Sequence, residues 1–396
     1  MARRPRILYL QYEDPGGYPP LEHSSRILAE RGWDVTFLGA EIVSDGVLRL
    51  PNHPRIFAAN IGAAALWGLQ PLRYLYFLVR SLYWTIFWRP SWIYGSDPTV
   101  LPVLWAVRKI TTAEIIYHEH DSPDPRAASS RFKRLVLQCR KAIGQDAAIC
   151  ILPQQRRLED FVHATQRNGP TLCVWNCPSL AEIRQNTSTV GQELSLYYHG
   201  SINAARLPPD LVIAISRFKG AVRLFIAGYE VQGSIGHVEA LKRIAESNGA
   251  PGAVHYVGAI PLREDLLRFA SKAHVGLSLM PVASDDINIR NMVGASNKPF
   301  DFMACGLPLL VSRIPEWVST FVAPGFARAC DPEDADSIER ELIWFVEHPD
   351  ERAEIGRRNA DAIGRAWNYE AMFESALTRI ESRIELNTPN ASHVPA

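Results

Sequence analysis

The residues of this chain best placed to do chemistry lie in 296–312, which reads SNKPFDFMACGLPLLVS. Ser296 and Asn297 are helix-capping types, and Pro299 suits a first helical turn. Gly306, with Pro308 soon after it, reads as a left-handed stop. The spacing predicts a helix of about two turns followed by a buried strand, LPLLVS. Free backbone N–H groups and the helix dipole converge at such an N-terminus and favour an anion there. Lys298 sits in the first turn, where a cation costs roughly 0.3–1 kcal/mol unless an anion accompanies it. On chemistry alone, a solvated lysine and an anion contact both stay open.

Two other places hold reactive types. Tyr117-His118-Glu119-His120-Asp121 ends a predicted strand. Histidines at i and i+2 share one strand face, so His118 and His120 could ligate a metal or serve as hydrogen-bonded structural residues. Asp14-Pro15-Gly16-Gly17 follows the first predicted strand. Paired glycines lack the Cβ that blocks close backbone approach, and they also make ordinary turns.

The elements that must position these residues are short apolar strands alternating with helices. Strands are predicted at 6–10, 34–38, 92–94, 114–117 and 147–152, with helices at 21–31 and 101–109. After a polar stretch at 177–193 the alternation restarts, with strands at 194–199, 222–227, 254–257, 275–279 and 309–311. Helices are predicted near 211–218, 236–247, 262–271, 337–347 and 369–386. This alternation implies parallel βαβ units, hence two doubly wound α/β domains whose ligands bind beyond the carboxyl ends of the strands. The expected division is 1–180, a linker at 181–193, a second domain at 194–368, a helix at 369–386 and a disordered tail at 387–396.

Length and composition agree. A chain of 396 residues exceeds one ordinary core. A hydrophobic content of 47% with 21% charged residues is that of a soluble globular protein, and 42 basic residues against 42 acidic ones give no sign of nucleic-acid binding. The basic start at 2–6 leads into an apolar run too short for a secretory leader, so a cytoplasmic location is expected. The six scattered cysteines read as reduced thiols without a zinc-site spacing.

The restarted domain ending in SNKPFDFMACGLPLLVS resembles the retaining family-4 glycosyltransferases (glycosyl transferases group 1). That resemblance implies the GT-B fold, two Rossmann-like parallel-sheet domains facing across a cleft. The N-terminal domain would bind the acceptor and the C-terminal domain the nucleotide-sugar, with the last helix crossing back to the N-terminal domain. It further implies a hexosyltransferase type of activity. Gly16 and Gly17 match the glycine loop that approaches the donor diphosphate and sugar, and His120 the histidine near sugar and acceptor. Gly200 and Ser201 stand at the opening loop of the second domain, with Ser201 at the usual arginine position. Arg206 stands where the family has a lysine. It would neutralise the departing diphosphate together with Lys298, its planar fork gripping phosphate. Asp301 matches the carboxylate that hydrogen-bonds the nucleotide ribose, and Val293 replaces the glutamate eight residues earlier. Backbone amides of Gly294, Ala295, Ser296 and Asn297 would hold sugar or phosphate.

The expected reaction is transfer from a nucleotide-diphosphate sugar to a sugar, lipid-linked or small-molecule acceptor. It would proceed with retention and without metal or other cofactor. Alternatives are a GT-B-like sugar-nucleotide epimerase or hydrolase, and a metal-dependent hydrolase built on His118 and His120. Asp334-Ala335-Asp336 spells a metal-binding DxD but sits at a predicted helix start, where acids favour the dipole. The aromatic, arginine-punctuated run 72–89 reads as a helix packed on a sheet with snorkelling arginines. Peripheral contact with the inner membrane face is the other reading of that helix.

Overall fold

In a computed structural model of the chain, residues 4–13, 18–40, 50, 52–62, 68–127, 129–189 and 193–387 are described. Gly16, Gly17 and residues 388–396 of the expected tail lie outside them. The chain divides into two compact units. The first holds the described residues up to Trp175 and the helix from Tyr369 onward; the second holds Asn176–Asn368.

The first unit's sheet contains β1 (Arg6–Gln11), β2 (Asp34–Gly39), β3 (Ile56–Ala58), β4 (Trp92–Ser96), β5 (Glu114–His118), β6 (Ile149–Leu152) and β7 (Thr171–Cys173). Their order is β3-β2-β1-β4-β5-β6-β7, and every neighbouring pair is parallel. Helices on both faces explain why the strands are apolar throughout rather than alternating. Leu8, Leu10, Ile93 and Ile115 pack with Phe77, Leu104 and Ile143 of helices Gln70–Trp88, Leu101–Arg108 and Arg131–Asp146. Ile7, Tyr9, Tyr94 and Ile116 pack on the other face with Leu21 and Leu28 of helix Pro19–Glu30. Tyr369, Phe373 and Ile380 of the terminal helix Tyr369–Asn387 join that same core.

The second unit repeats the plan. Its strands are β8 (Leu194–Ile202), β9 (Val222–Glu230), β10 (Val254–Gly258), β11 (Val275–Ser278), β12 (Leu309–Ser312) and β13 (Ala327–Cys330). They run β10-β9-β8-β11-β12-β13, all parallel. In each sheet the strand order reverses next to the unit's first strand, between β1 and β4 and between β8 and β11. These switch points are where doubly wound sheets leave a crevice for ligand.

The polar stretch read as a linker is bound into the second unit. Arg184 N–H donates to Ala304 O at 2.8 Å, and Thr187 N–H to Ser271 O at 2.8 Å. Asn186 Nδ2 likewise donates to Ala273 O at 3.0 Å. Strands β3, β7 and β13 were not predicted; each is a three- or four-residue strand at or beside a sheet edge, too short to show a pattern.

Candidate functional site

Helix Asn297–Ala304 follows β11 through a long loop, so its N-terminus comes to the β8–β11 switch point. Ser296 is the N-cap, with extended backbone and no side-chain cap, and Gly306 ends the helix region with φ 68°. The helix sits close on the sheet because Gly276 of β11 has no side chain. A Cβ there would lie 2.4 Å from Phe302 Cγ. Ser312 Oγ accepts from Met280 N–H at 2.8 Å and donates to Met280 O at 2.6 Å, pinning the start of the loop to the end of β12.

Gly200 and Ser201, near the end of β8, face this helix. Gly200 has φ 104°, and a Cβ on it would come 3.2 Å from Lys298 Cε. A side chain at this position would crowd the lysine where it lies over the strand end. Its ammonium is 5.6 Å from the Tyr198 ring centroid. Arg206 turns back to hydrogen-bond Ser201 Oγ and, at 3.5 Å, Ser201 O. Tyr198 Oη also donates to Ser201 O, at 2.5 Å. Ser201, at a position where a charge was usual, thus holds the arginine that supplies the charge. Burial, with the nearby Arg206 adding to it and Asp301 opposing, lowers the Lys298 pKa to about 7. Two cations crowd one helix N-terminus with no acid in its first turn, which is an arrangement an anion relieves.

Asp301 departs from expectation. It is 1% exposed, and Arg263 grips both its oxygens at 2.6 and 3.1 Å. His199 Nε2 lies 3.2 Å from Oδ2. Burial pushes this carboxyl up, but Arg263 and His199 outweigh it and hold it below the usual range. With its oxygens taken and its surface covered, Asp301 stands as the anchor of a buried cluster rather than as an open acceptor for ribose hydroxyls. Arg263 also pairs with Glu182, Nε to Oε1 at 2.5 Å. His199, Arg263 and Glu182 were not singled out from sequence. Glu182 lay in the supposed linker, and Arg263 opens an ordinary amphipathic helix, Arg263–Ala270.

The loop amides are also partly committed. Ala295 and Ser296 N–H both donate to Met292 O at 3.0 Å, so these two do not point at a ligand as expected. Gly294, with φ 81°, gives its carbonyl to Asn176 N–H at 2.7 Å. Asn297 Oδ1 and His199 Nδ1, by contrast, are buried without a protein partner.

In the first unit, His120 follows β5. The preceding turn is fixed by Glu119, which Arg140 holds through two hydrogen bonds of 2.7 Å, with Tyr117 Oη donating to it at 2.9 Å. Glu119 and Tyr117 therefore point away from the imidazoles, whose ring centroids lie 3.8 Å apart with their planes tilted by 36°. Burial, with Arg157 adding, lowers the His120 pKa to about 3 and keeps the ring neutral. Among the described residues, no third His, Cys, Asp or Glu ligand atom gathers with His118 and His120. Asp334 accepts Asp336 N–H at 2.9 Å as the N-cap of helix Ala335–Glu347, and Arg217 pairs with Asp336. That DxD is a helix cap. None of the described cysteines forms a disulfide.

Comparison with known proteins places this geometry. Residues 216–378 match the family model described as glycosyl transferase-like. No curated protein matches the sequence. Among solved structures, the chain is similar to sucrose-phosphate synthase from Thermosynechococcus elongatus, at 15% identity and a TM-score of 0.70, over 97% of this chain and all of that one. It is similar to Anabaena HepE in complex with UDP and glucose, at 14% identity and a TM-score of 0.70, over 96% of this chain and 100% of the other. It is also similar to a Burkholderia xenovorans α,α-trehalose-phosphate synthase (UDP-forming) with glucose-6-phosphate, at 12% identity and a TM-score of 0.63, over 95% and 100%.

Proposed function

We propose that this chain, whose two units have the GT-B fold and whose residues 216–378 match a glycosyl transferase-like family model, is a glycosyltransferase that moves a sugar from a nucleoside-diphosphate sugar to an acceptor hydroxyl. Transfer retains the anomeric configuration and needs no metal. The observation that carries the reading is the pairing of Arg206 and Lys298 at the N-terminus of helix Asn297–Ala304. Negative charge builds on the diphosphate as its bond to the sugar breaks. Two fixed cations and a helix N-terminus stabilise that charge without reorganisation, the task a divalent cation performs elsewhere. Gly200 lets the ligand approach the backbone, and Asn297 Oδ1 offers an unused acceptor to a ligand hydroxyl. In the first unit, neutral His120 serves as a hydrogen-bonding partner for the sugar and acceptor.

The step balances without a covalent enzyme intermediate. The bond from the sugar's anomeric carbon to the β-phosphate oxygen breaks, and the acceptor oxygen bonds to that carbon on the same face. The acceptor's proton passes to the departing diphosphate. Because a similar fold holds UDP and glucose, UDP-hexoses are the first donors to try. The test is a screen of nucleotide-sugars and acceptors, with EDTA present and the product anomer read by NMR. Retention with EDTA-insensitive turnover is expected. An inverted product, or activity lost with EDTA, would overturn the respective part. Consumption of donor with no transfer to any acceptor would favour an epimerase or hydrolase.

The acceptor is carried by a membrane surface in this reading. Helix Gln70–Trp88 buries Arg73, Phe77, Ser81 and Thr85, while its opposite face shows Leu72, Leu75, Tyr76, Val79, Tyr83 and Phe87, the last 68% exposed. Neighbouring helices expose Trp105, Phe132 and Leu135 among Arg108, Lys109, Arg131 and Lys133. Exposed apolar side chains interspersed with basic ones suit an anionic bilayer. No helix among the described residues is long and apolar enough to cross one. The chain should sediment with phosphatidylglycerol-containing vesicles, and less so at high salt. Val79→Asp with Phe87→Asp should weaken that at least ~10-fold. Equal sedimentation of the double variant would remove this face from membrane binding.

A further inference from the structure

A cavity of about 620 Å³ opens in the second unit, at the amino ends of its central strands. Ser195 is the second residue of β8, Arg223 the second of β9, and His274 directly precedes β11. Ser201, which holds Arg206, stands six residues further along β8, so about 20 Å of strand separates the cavity from the paired cations. Doubly wound sheets bind ligands beyond the carboxyl ends of their strands, and this cavity is at the other end.

The two faces of the sheet differ here. Leu196, Leu224 and Ile226 are fully buried against helices Pro209–Ser216, His237–Ser247 and Ala335–Glu347. Alternation turns Ser195, Arg223 and Phe225 to the opposite face, and all three stay partly exposed. Phe269, near the end of the covering helix Arg263–Ala270, meets Phe225 with ring centroids 6.3 Å apart. His255 of β10, paired in register with Phe225, stacks on it at 4.9 Å and 13°. The aromatic wall is thus fixed in place by its neighbours, yet part of it faces the cavity.

The polar groups are divided between floor and rim. His274, 4% exposed, accepts Ser195 N–H on Nδ1 at 3.0 Å, and its Nε2 faces Thr189 O at 3.3 Å. Burial lowers its pKa, so it is a neutral part of the floor. At the rim, Glu193 accepts from Arg223 Nε at 2.7 Å and Nη2 at 2.8 Å, which leaves Nη1 without a partner. No hydrogen bond or ion pair among the described residues engages the exposed Lys272 ammonium. Two cations against one acid leave the rim one unmatched positive charge.

We propose that this cavity is a second ligand site, independent of the nucleotide-sugar site, and that it takes a flat aromatic ring bearing a single carboxylate. The ring lies against Phe225 and Phe269, and its carboxylate meets Lys272 and Arg223 Nη1. The volume is that of a small-molecule pocket, and an apolar wall with a few placed polar groups is how such pockets bind. A neutral ring leaves the rim charge unmatched. A nucleoside polyphosphate brings several negative charges to it, and Glu193 repels the excess.

The test is saturation-transfer NMR and thermal melting of the whole chain with naphthoate, its neutral analogue naphthylmethanol, and cyclohexanecarboxylate. Naphthoate should bind at least ~10-fold more tightly than the other two and raise the melting temperature. Lys272→Met changes an exposed residue and should lower naphthoate affinity at least ~5-fold. Phe225→Leu keeps apolar bulk without the ring and should lower it by a similar factor. Calorimetry should show nucleoside-diphosphate affinity unchanged in both variants and in saturating naphthoate. No naphthoate binding, equal binding of naphthylmethanol, wild-type affinity in Lys272→Met, or displacement of bound diphosphate would overturn the proposal. Naphthoate binding by a chain that binds no diphosphate would instead overturn the transferase reading and leave this site standing.

Discussion

Arg206→Ala is expected to lower turnover of the nucleotide-sugar at least ~10²-fold with the fold intact. The fold should survive because the guanidinium is only half-buried and its side-chain hydrogen bonds to Ser201 stay within its own loop. Function should suffer because Ser201 carries no charge, which leaves Arg206 and Lys298 as the cations beside the helix N-terminus. Charge develops on the leaving diphosphate mainly in the transition state, so the loss should fall on kcat and kcat/KM together rather than on KM alone. Arg206→Lys keeps the charge without the planar fork and should recover part of the rate. Steady-state kinetics with circular dichroism on each variant checks this. Near-normal turnover in Arg206→Ala would remove it from the mechanism.

Asp301→Ala should destabilise the second unit by about 3 kcal/mol, the low end of the cost of orphaning one member of a buried ion pair. The low end is expected because Arg263 keeps Glu182 as a partner. His199, which leans on the same carboxylate, loses its Nε2 contact and adds to the disorder at the strand end. The sign with pH follows from the depressed carboxyl. The contribution is present above the unfolded value of ~3.9 and is lost as pH falls through the folded one. Urea denaturation of wild type and variant in a series from pH 7 down to about pH 2 measures both effects. If Asp301 held ribose directly, Asp301→Ala would keep wild-type stability and lose donor affinity. That outcome would contradict the anchoring role.

The fold was largely legible because both sheets are buried on two faces, and such strands appear as short apolar runs punctuated by helices. What escaped had physical reasons. Helices Arg131–Asp146 and Gln155–Thr165 are charge-rich, and their caps, Ser130 and Gln154, show only once Lys133 and Arg157 N–H are seen bonding to them. Helix Pro349–Arg365 is more polar still and buries few residues. At the site, sequence reading singled out Lys298 and Arg206 because charge at a helix N-terminus or a strand-end loop is locally conspicuous. It missed the Glu182–Arg263–Asp301–His199 cluster because its members lie in four separate segments and meet only in the folded unit. Gly16 and Gly17 keep their expected role untested, outside the described residues.

The most direct test of the paired-cation site is calorimetry of a nucleoside diphosphate and its parent nucleoside at pH 8, in two buffers of different ionisation enthalpy. Lys298 titrates near 7 in the free protein and is mostly neutral at that pH. A diphosphate seated beside it must restore its charge, so binding should take up roughly half a proton or more and weaken as pH rises. The diphosphate should bind at least ~10-fold more tightly than the nucleoside, and Lys298→Met should abolish the proton uptake. Equal affinity for the two ligands, or diphosphate binding with no proton uptake, would contradict the site.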